Sequence, residues 1–191
     1  RTKNNLQIIS SLLSLQSRQT EFKEVKEVFQ NSISRIQSMG LVYEKLYKNS
    51  NLVSVNSHKY LFDLVNLFHD NSAIKFDLIE SDIELKSSQA ISIGLILNEF
   101  IINSYKHAFK AIDYPKIRIE LTQQAGLIHL SCKNNGVKLL DTFKINDLDS
   151  LGMTVIEAFT EKLNGKFTFE NQKLNGVELK IMFPVMLNLN E

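Results

Sequence analysis

Apolar residues recur at helical spacing through the first part of the chain. From Phe22 to Leu46 they return every three or four positions, which predicts a helix with one apolar seam. An earlier helix is predicted with two neighbouring apolar stripes, formed by Leu6, Ile9 and Leu13 and by Ile8, Leu12 and Leu15. The short polar stretch 17–20 suits a turn, so residues 1–50 are predicted to form an antiparallel helical hairpin.

Two helices with broad apolar faces cannot bury both faces within one hairpin. One interpretation is that residues 1–50 pair with a second copy to form a four-helix bundle, which makes the protein a homodimer. The other is an antiparallel helical arm of another kind. The hydrophobic pattern alone leaves both interpretations open.

A polar break at 48–51 (KNSN) ends the helical pattern, and a mixed pattern follows over residues 51–191. Ser57 is expected to cap the first helix of this region. Alternating segments predict strands, and segments of helical period predict helices. The predicted strands are 52–55, 74–79, 117–121, 127–133, 166–170 and 177–183, and the predicted helices are 57–70, 87–109 and 152–163. The expected class is α+β, with helices on one face of a mostly antiparallel sheet.

Composition narrows the possible environments of the protein. The net charge of +1 gives no general electrostatic reason to expect nucleic acid or an anionic membrane as a partner. The single cysteine, Cys132, excludes an internal disulfide and fits a reducing compartment. No apolar run approaches the roughly 20 residues of a membrane span. A cytoplasmic location is therefore expected, and the first residue, Arg1, suggests a piece of a longer parent protein.

The helix predicted over 87–109 is apolar but carries one polar stripe. Glu99, Asn103 and His107 are spaced four residues apart, and Asn98 and Lys106 flank them. Burying such groups without partners would cost roughly 1–3 kcal/mol each, so the stripe is expected to face a cleft, a ligand or an ion. A carboxylate and an amide at this spacing suit Mg²⁺, and a lysine and a histidine suit phosphate oxygens.

The alternative interpretation is that the polar stripe has no catalytic or ligand-binding role. Basic groups in the last turn of a helix complement its dipole, and Asn98 and Glu99 would then be ordinary exposed polar residues. A second feature favours a ligand site, because Gly152 is expected at the start of a helix, where free backbone N–H groups bind anions. Together with the Asn- and Gly-rich strand end at 134–137, these features suit a nucleotide cleft.

Five segments of the chain resemble segments of sensor histidine kinases. NEFIINSYKHAF (98–109) is similar to the N-box of their ATP-binding domain, which is of the GHKL, or Bergerat, type. NNGVK (134–138) stands where the family has D-x-G-x-G, and SLGM (150–153) resembles its second glycine box. The N-terminal RTKNNLQ resembles the H-R-x-K-N-N-L-Q dimerisation helix of one subfamily, and ISRIQSMGLVYEKLY, from Ile33, resembles its second helix.

The resemblance implies a dimerising hairpin with a phosphotransfer role over 1–50 and a GHKL α/β sandwich ATPase domain over 51–191. It implies transfer of the ATP γ-phosphate to a histidine, expected just before Arg1 in the parent protein, and then to an aspartate of a response regulator receiver domain. Any membrane attachment would lie in other parts of that parent. The resemblance implies that Glu99 is the general base or an orienting carboxylate and that Asn103 is a Mg²⁺ ligand. The other implied site residues are Lys106 and His107 at the phosphates, Asn134 and Gly136 at adenine, and Leu151, Gly152 and Met153 around the phosphate tail.

Two positions depart from the family pattern. Asn134 replaces the aspartate that accepts a hydrogen bond from the adenine amino group; an amide oxygen can still accept that bond, with affinity expected to fall about tenfold. Lys138 replaces the second glycine of the box, where it would either obstruct the pocket or reach a phosphate. An active kinase is therefore expected, with two alternatives: a pseudokinase that serves as a dimeric phosphotransfer or docking module, or another GHKL ATPase, although those lack a preceding helical hairpin.

Overall fold

Two helices precede a mixed α/β region in the computed structural model, which describes residues 2–48, 54–69, 74–110, 112–139 and 151–185. The helices are α1 (Thr2–Gln19) and α2 (Lys23–Lys48). The α/β region consists of β1 (Ser54–Asn56), α3 (Ser57–His69), β2 (Lys75–Glu80), β3 (Glu84–Lys86), α4 (Ser87–Asn103), a π-helical turn (Ser104–Ala108), β4 (Lys116–Gln124), β5 (Leu127–Asn134), α5 (Leu151–Lys162), β6 (Lys166–Asn171) and β7 (Val177–Pro184). Residues 49–51 of the proposed domain boundary and the strand start at 52–53 lie outside the described residues, as does most of the expected loop over 136–150.

Five strands form one sheet in the order β2-β4-β5-β7-β6. The β2–β4 pair is parallel and the other pairs are antiparallel. Along β5 and β7, buried residues alternate with less buried ones, because successive side chains of a strand point to opposite faces. The predicted α+β class is therefore confirmed, with one parallel pair at the sheet edge.

Helix α4 lies at the centre of the packing. It contacts α2 on one side and α5 on another, and most of its residues are buried. Ile93, Ile96 and Leu97 belong to the single core cluster that also includes the inner faces of β4, β5 and β7. Each such buried side chain contributes roughly 1.5–3 kcal/mol to folding, so α4 is fixed in position between the hairpin and the sheet.

Three local expectations were wrong in detail. The hairpin turn lies at 20–22 and not at 17–20, because α1 continues to Gln19. Asn56 caps α3, its Oδ1 accepting the Lys59 N–H at 3.1 Å, while the Ser57 hydroxyl bonds the 81–83 segment instead. The three-residue strand β3, which pairs with β1, was not expected because so short a segment has no readable alternation.

The helix predicted over 87–109 follows one continuous path, but its last turn is widened. The α-helix ends at Asn103, and Ser104–Ala108 form a π-helical turn. Ser104 and Ala108 are buried in this turn, whereas Tyr105 is exposed. Such π turns occur often at functional sites, and this one turns two small side chains towards the sheet.

Among the helices within the described ranges, none combines the length and the apolarity that a bilayer crossing would require. Cys132 is fully buried on β5, as expected for a small apolar side chain, and burial raises the pKa of its thiol.

Gly94 of α4 makes room for Tyr60, and this contact generates a stability prediction. A Cβ at Gly94 would lie 1.9 Å from the Tyr60 hydroxyl oxygen, and the next atom is a ring carbon at 3.2 Å. Gly94→Ala should therefore lower the free energy of unfolding by about 1–3 kcal/mol through overpacking, despite the better helix propensity of alanine. In a Tyr60→Phe background, most of that loss should disappear, as measured by urea denaturation.

Gly40 of α2 provides the matched control, because nothing lies within 4 Å of a Cβ added there. Gly40→Ala should be neutral or stabilising by up to about 1 kcal/mol. An equal loss for Gly94→Ala in both backgrounds would contradict the contact.

Candidate functional site

A cavity of about 470 Å³ opens between the end of α4, the π turn, α5 and the sheet. Most of its walls are apolar, and Phe100 and Ile156 are among the most buried of the wall residues. The cavity is lined by Phe100, Asn103, Ser104, His107, Ala108, Asn134, Val137, Lys138, Leu139, Met153, Ile156, Phe169 and Val177. Its size and its few polar groups are those of a small-ligand site.

Asn134, at the end of β5, and Ser104, in the π turn, form a buried polar pair on the cavity wall. Each is only 2% exposed. The Asn134 Oδ1 accepts the backbone N–H groups of Gly136 and Val177, both at 3.2 Å, and its Nδ2 donates to the Ser104 Oγ at 2.9 Å. The side chain is thus held from three directions, which fixes the amide in one orientation.

Gly136 permits a close approach between the strand end and the π turn. A Cβ on Gly136 would lie 2.3 Å from the Ala108 carbonyl oxygen. The neighbouring Val137 N–H donates to that same oxygen at 3.0 Å. The glycine therefore allows the segment after Asn134 to close one side of the cavity.

The start of α5 lies against two members of the polar stripe. A Cβ on Gly152 would be 3.0 Å from the Glu99 Oε2 and 3.3 Å from the Asn103 Nδ2. Leu151 begins α5, and Met153 lines the cavity. The structure therefore brings Glu99, Asn103 and the second glycine segment together, as the ligand interpretation of the stripe requires.

Glu99 does not line the cavity, because its carboxylate is paired with α2. Arg35 donates from Nε to Oε1 at 2.6 Å and from its Nη2 to Oε2 at 2.7 Å, a bidentate pair. Glu99 is 2% exposed and Arg35 16% exposed. A buried carboxylate needs such a partner, since an unpaired buried charge is strongly unfavourable.

Asn98 completes the contact with α2. It is fully buried, and its Oδ1 accepts a hydrogen bond from the Ser34 hydroxyl, while the Ser38 hydroxyl donates to the Ser34 carbonyl at 3.0 Å. Its Nδ2 donates to the Glu99 Oε1 at 3.2 Å. The interpretation of Asn98 and Glu99 as ordinary exposed polar residues was therefore wrong.

Of Lys106 and His107 in the π turn, only His107 lines the cavity. Lys106 pairs with Glu27 of α2 at 3.5 Å and does not line the cavity. His107 does line it and is largely exposed. Partial burial is the largest of the causes that lower the pKa of His107, and the positive charges of Lys110 and Lys106 lower it further. The neutral imidazole is therefore favoured at neutral pH. Of the two predicted phosphate contacts, only His107 is positioned at the cavity.

Lys138 extends along the cavity wall towards the turn between β6 and β7. Its Nζ donates to the Lys173 carbonyl at 3.0 Å. The next residue, Leu139, exchanges two backbone hydrogen bonds with the Asn171 side chain. The ammonium group is thus engaged by the backbone of the neighbouring turn.

Sequence reasoning missed the partners on α2. Ser34, Arg35 and Ser38 occupy positions i, i+1 and i+4, so they lie on one face of α2. Because α2 carries many other polar and charged residues, its pattern does not single them out as partners of α4. Ser104 was also missed, since the π turn that directs it inward has no simple sequence pattern.

Comparisons with known proteins agree with this architecture. Residues 1–71 match the family model described as Histidine kinase (HisKA_2). Over 97% of its length, the chain is 25% identical to the sensor histidine kinase PdtaS of Mycobacterium tuberculosis, but it spans only 38% of that protein. The resemblance to sensor histidine kinases predicted from the sequence is thereby confirmed.

Solved structures agree on the fold. The histidine kinase domain of the blue-light activated histidine kinase from Erythrobacter litoralis EL346 aligns with a TM-score of 0.70 at 17% identity, covering 94% of this chain and 85% of that one. The ATP-binding domain of PrrB from Mycobacterium tuberculosis aligns with a TM-score of 0.57 at 14% identity, covering 71% of this chain and 98% of that domain. The fold therefore resembles that of these histidine kinase domains, a helical hairpin followed by an α/β domain.

The Arg35–Glu99 pair generates a prediction about stability. Arg35→Ala should lower the free energy of unfolding by about 3 kcal/mol, because it leaves the Glu99 carboxylate buried without its partner. In a Glu99→Ala background, the same change should cost much less, which gives a coupling energy of about 2 kcal/mol. Chemical denaturation of the four proteins of this cycle measures it.

Arg118→Ala is the control, because Arg118 pairs with Glu120 on the exposed face of β4, with 45% and 29% of the side chains exposed. That change should cost at most about 1 kcal/mol. A coupling energy near zero for Arg35 and Glu99 would contradict the buried pair.

Proposed function

We propose that this chain is the catalytic portion of a sensor histidine kinase that transfers the γ-phosphate of ATP to a histidine and then to an aspartate of a response regulator. The acceptor histidine is proposed to precede Arg1 in the parent protein. One observation carries the proposal. The cavity is large enough for a nucleobase and has the polar pair Asn134 and Ser104 in its wall, and it ends beside Asn103 and the start of α5 at Gly152.

The nucleotide would bind with its base between the apolar walls of the cavity and its phosphates near Asn103 and the start of α5. Backbone N–H groups at a helix start favour phosphate oxygens. His107, on the same cavity, would donate to a phosphate once it is protonated. Lys106 remains a proposed phosphate contact, although it would first have to leave Glu27.

Asn103 fits the proposed role of Mg²⁺ ligand. Its amide oxygen is a hard donor, and it lies beside the start of α5, where the phosphates are proposed to bind. Mg²⁺ usually takes few protein ligands and completes its shell with phosphate oxygens and water. When bound, the ion would offset the negative charge of the phosphates, while Asn103 orients them.

Glu99 is the proposed general base. We interpret its pairing with Arg35 as the resting state of the kinase, in which the carboxylate does not act as a base. Both carboxylate oxygens accept from the guanidinium, so neither is aimed at the cavity. Transfer would require the carboxylate to exchange Arg35 for the reacting group. The hairpin would then control the base directly, since Arg35 belongs to α2.

A homodimer through residues 1–50 is part of the proposal. The second apolar stripe of α1 is exposed in the single chain, with Ile8 at 58%, Leu12 at 56% and Leu15 at 54%. A contiguous exposed apolar stripe on a helix is a typical association surface. A second copy would cover it in a four-helix bundle, and a receiver domain would dock on the outer face of that bundle.

The second candidate function is a pseudokinase that acts as a dimeric phosphotransfer or docking module. The observation that favours it is the engagement of the Asn134 oxygen by two backbone N–H groups. An oxygen engaged in this way is a poor acceptor for a third donor, so the affinity for ATP would fall.

Asn103→Ala is the direct test of nucleotide binding. In calorimetric titration with ATP, the parent should bind more tightly with Mg²⁺ than without it, and the variant should lose that difference while its circular dichroism spectrum is unchanged. Gln123→Ala is the control, because it removes an exposed amide on β4 outside the cavity. Equal binding of Mg·ATP by the parent and Asn103→Ala would contradict the assignment, and no binding by the parent would favour the pseudokinase.

His107 provides a pH prediction. Its pKa in the free protein should lie below the usual value of about 6.5, because partial burial and two lysines disfavour the imidazolium. A bound phosphate would stabilise the imidazolium and raise this pKa, so binding should take up a proton and strengthen as the pH falls from about 7.5 to 6. NMR titration of the His107 ring with and without nucleotide measures the change.

The ring of His129 on β5 is the internal reference for this titration and should be unaffected by nucleotide. If nucleotide does not change the His107 resonance either, His107 is not part of the proposed phosphate site.

A further inference from the structure

Residues 137–139 form one wall of the cavity, and hydrogen bonds hold this wall at both of its ends. All three residues line the cavity. At one end, the Val137 N–H donates to the Ala108 carbonyl in the π turn at 3.0 Å. At the other end, the wall meets residues 171–173, where β6 ends and the chain turns towards β7. The wall is therefore attached to two segments that are distant from it in the sequence.

The Asn171 side chain pairs with the backbone of Leu139 much as a neighbouring strand would. Its Oδ1 accepts the Leu139 N–H at 2.7 Å, and its Nδ2 donates to the Leu139 carbonyl at 3.0 Å. One amide thus satisfies both backbone groups of one wall residue. This pairing fixes the position of the wall where it leaves the cavity.

Lys138 forms a second link between the wall and the turn after β6. Its Nζ donates to the Lys173 carbonyl at 3.0 Å, across 35 positions of the sequence. Lys173 is not among the described residues that line the cavity, so this bond is made beside the cavity. A glycine, which the family pattern has at position 138, could not form the bond.

Gln172 attaches the same turn to the strand end that precedes the wall. Its Nε2 donates to the Asn134 carbonyl at 2.7 Å and to the Val177 carbonyl at 3.3 Å. Its backbone N–H donates to the Gly176 carbonyl at 2.9 Å, which closes the turn itself. The turn is therefore held against the sheet and can act as a fixed support for the wall.

We propose that Lys138 and Asn171 are positioning residues of the nucleotide cavity, because they hold the wall 137–139 in place before a nucleotide binds. The proposal rests on the nucleotide site proposed above. A wall that is already ordered costs less conformational entropy when a ligand binds, so the affinity is higher. This role replaces both expectations for Lys138, obstruction of the pocket and contact with a phosphate.

Calorimetric titration of the whole chain with Mg·ATP and with AMP tests the effect on binding. Lys138→Met keeps an unbranched side chain without the ammonium group, and Asn171→Ala removes the amide. Each variant should bind both nucleotides about threefold to tenfold more weakly, as expected for the loss of one net hydrogen bond. Lys138→Arg keeps a donor and should retain the parental affinity. Parental affinity in Lys138→Met and Asn171→Ala would overturn the proposal and leave the nucleotide site intact.

Two other outcomes would assign Lys138 a different role and overturn the proposal. A much larger loss for ATP than for AMP in Lys138→Met would mean that the ammonium group reaches the β- or γ-phosphate. Lys138→Gly restores the residue of the family pattern, and we expect it to weaken binding as Lys138→Met does. Tighter binding by Lys138→Gly would show that the lysine obstructs the pocket.

Asn56→Ala is the matched control for a general loss of stability. Asn56 also uses both ends of its amide, accepting the Lys59 N–H and donating to Asp82, and these three residues lie outside the cavity. The variant should be less stable than the parent and should bind both nucleotides as tightly as the parent does. An equal loss of affinity in this control would overturn the positioning role.

Hydrogen exchange of the Val137 N–H tests the support of the wall without a nucleotide. Asn171→Ala leaves the bond of this N–H to the Ala108 carbonyl in place. If the turn supports the wall as one unit, the Val137 N–H should nevertheless exchange about threefold to tenfold faster in this variant. Unchanged exchange would overturn the proposal whatever the affinities.

The two measurements separate failure of the positioning role from failure of the proposed function. Binding of neither nucleotide by the parent at millimolar concentration would overturn the nucleotide site and the positioning role together. Nucleotide binding by the parent with an unchanged Val137 exchange rate in Asn171→Ala would overturn the positioning role alone.

Discussion

The burial of the Glu99 carboxylate is the constraint on which the arrangement depends. A charge that is 2% exposed in an apolar helix can be tolerated only with a partner of opposite charge and good geometry. Arg35 supplies it with two short hydrogen bonds, and the Ser34 hydroxyl donates to the neighbouring Asn98. Helix α2 is therefore held against α4 by a polar contact.

The C-terminal end of α4, directly after Glu99, lines the cavity. Asn103 and the π turn follow Glu99 within three turns, and Gly152 approaches both Glu99 and Asn103. A movement of α2 that displaces Arg35 would thus also displace the Glu99 side chain, which lies beside the start of α5. This is a short physical path between the helical hairpin and the proposed phosphate position, and it requires no change in the sheet.

The sequence predicted the helices and strands well where the hydrophobic pattern extended over enough residues to show its period. The strands of the sheet and the three helices after residue 54 lie within a few residues of their predicted bounds. The stripe of Glu99 and Asn103 was recognised because four-residue spacing defines one face of a helix. The short strand β3 and the π turn were not predicted, because each depends on packing more than on local pattern.

Two features of the site could not be read from local sequence. The Arg35–Glu99 contact joins residues 64 positions apart, and no periodicity links them. The orientation of the Asn134 amide depends on Val177, which is brought beside β5 only by the pairing of β5 with β7. The sequence identified Asn134 as unusual, but only the assembled sheet determines which of its atoms a ligand would meet.

The central claim is that Arg35 holds the Glu99 carboxylate in the free protein. The most direct measurement is the NMR resonance of the Arg35 Nε–H, compared with that of Arg18, which is exposed on α1. A bidentate, largely buried pair should protect the Arg35 Nε–H from exchange with water, and Glu99→Gln should weaken that protection. Exchange of the Arg35 Nε–H as fast as that of Arg18 would contradict the account.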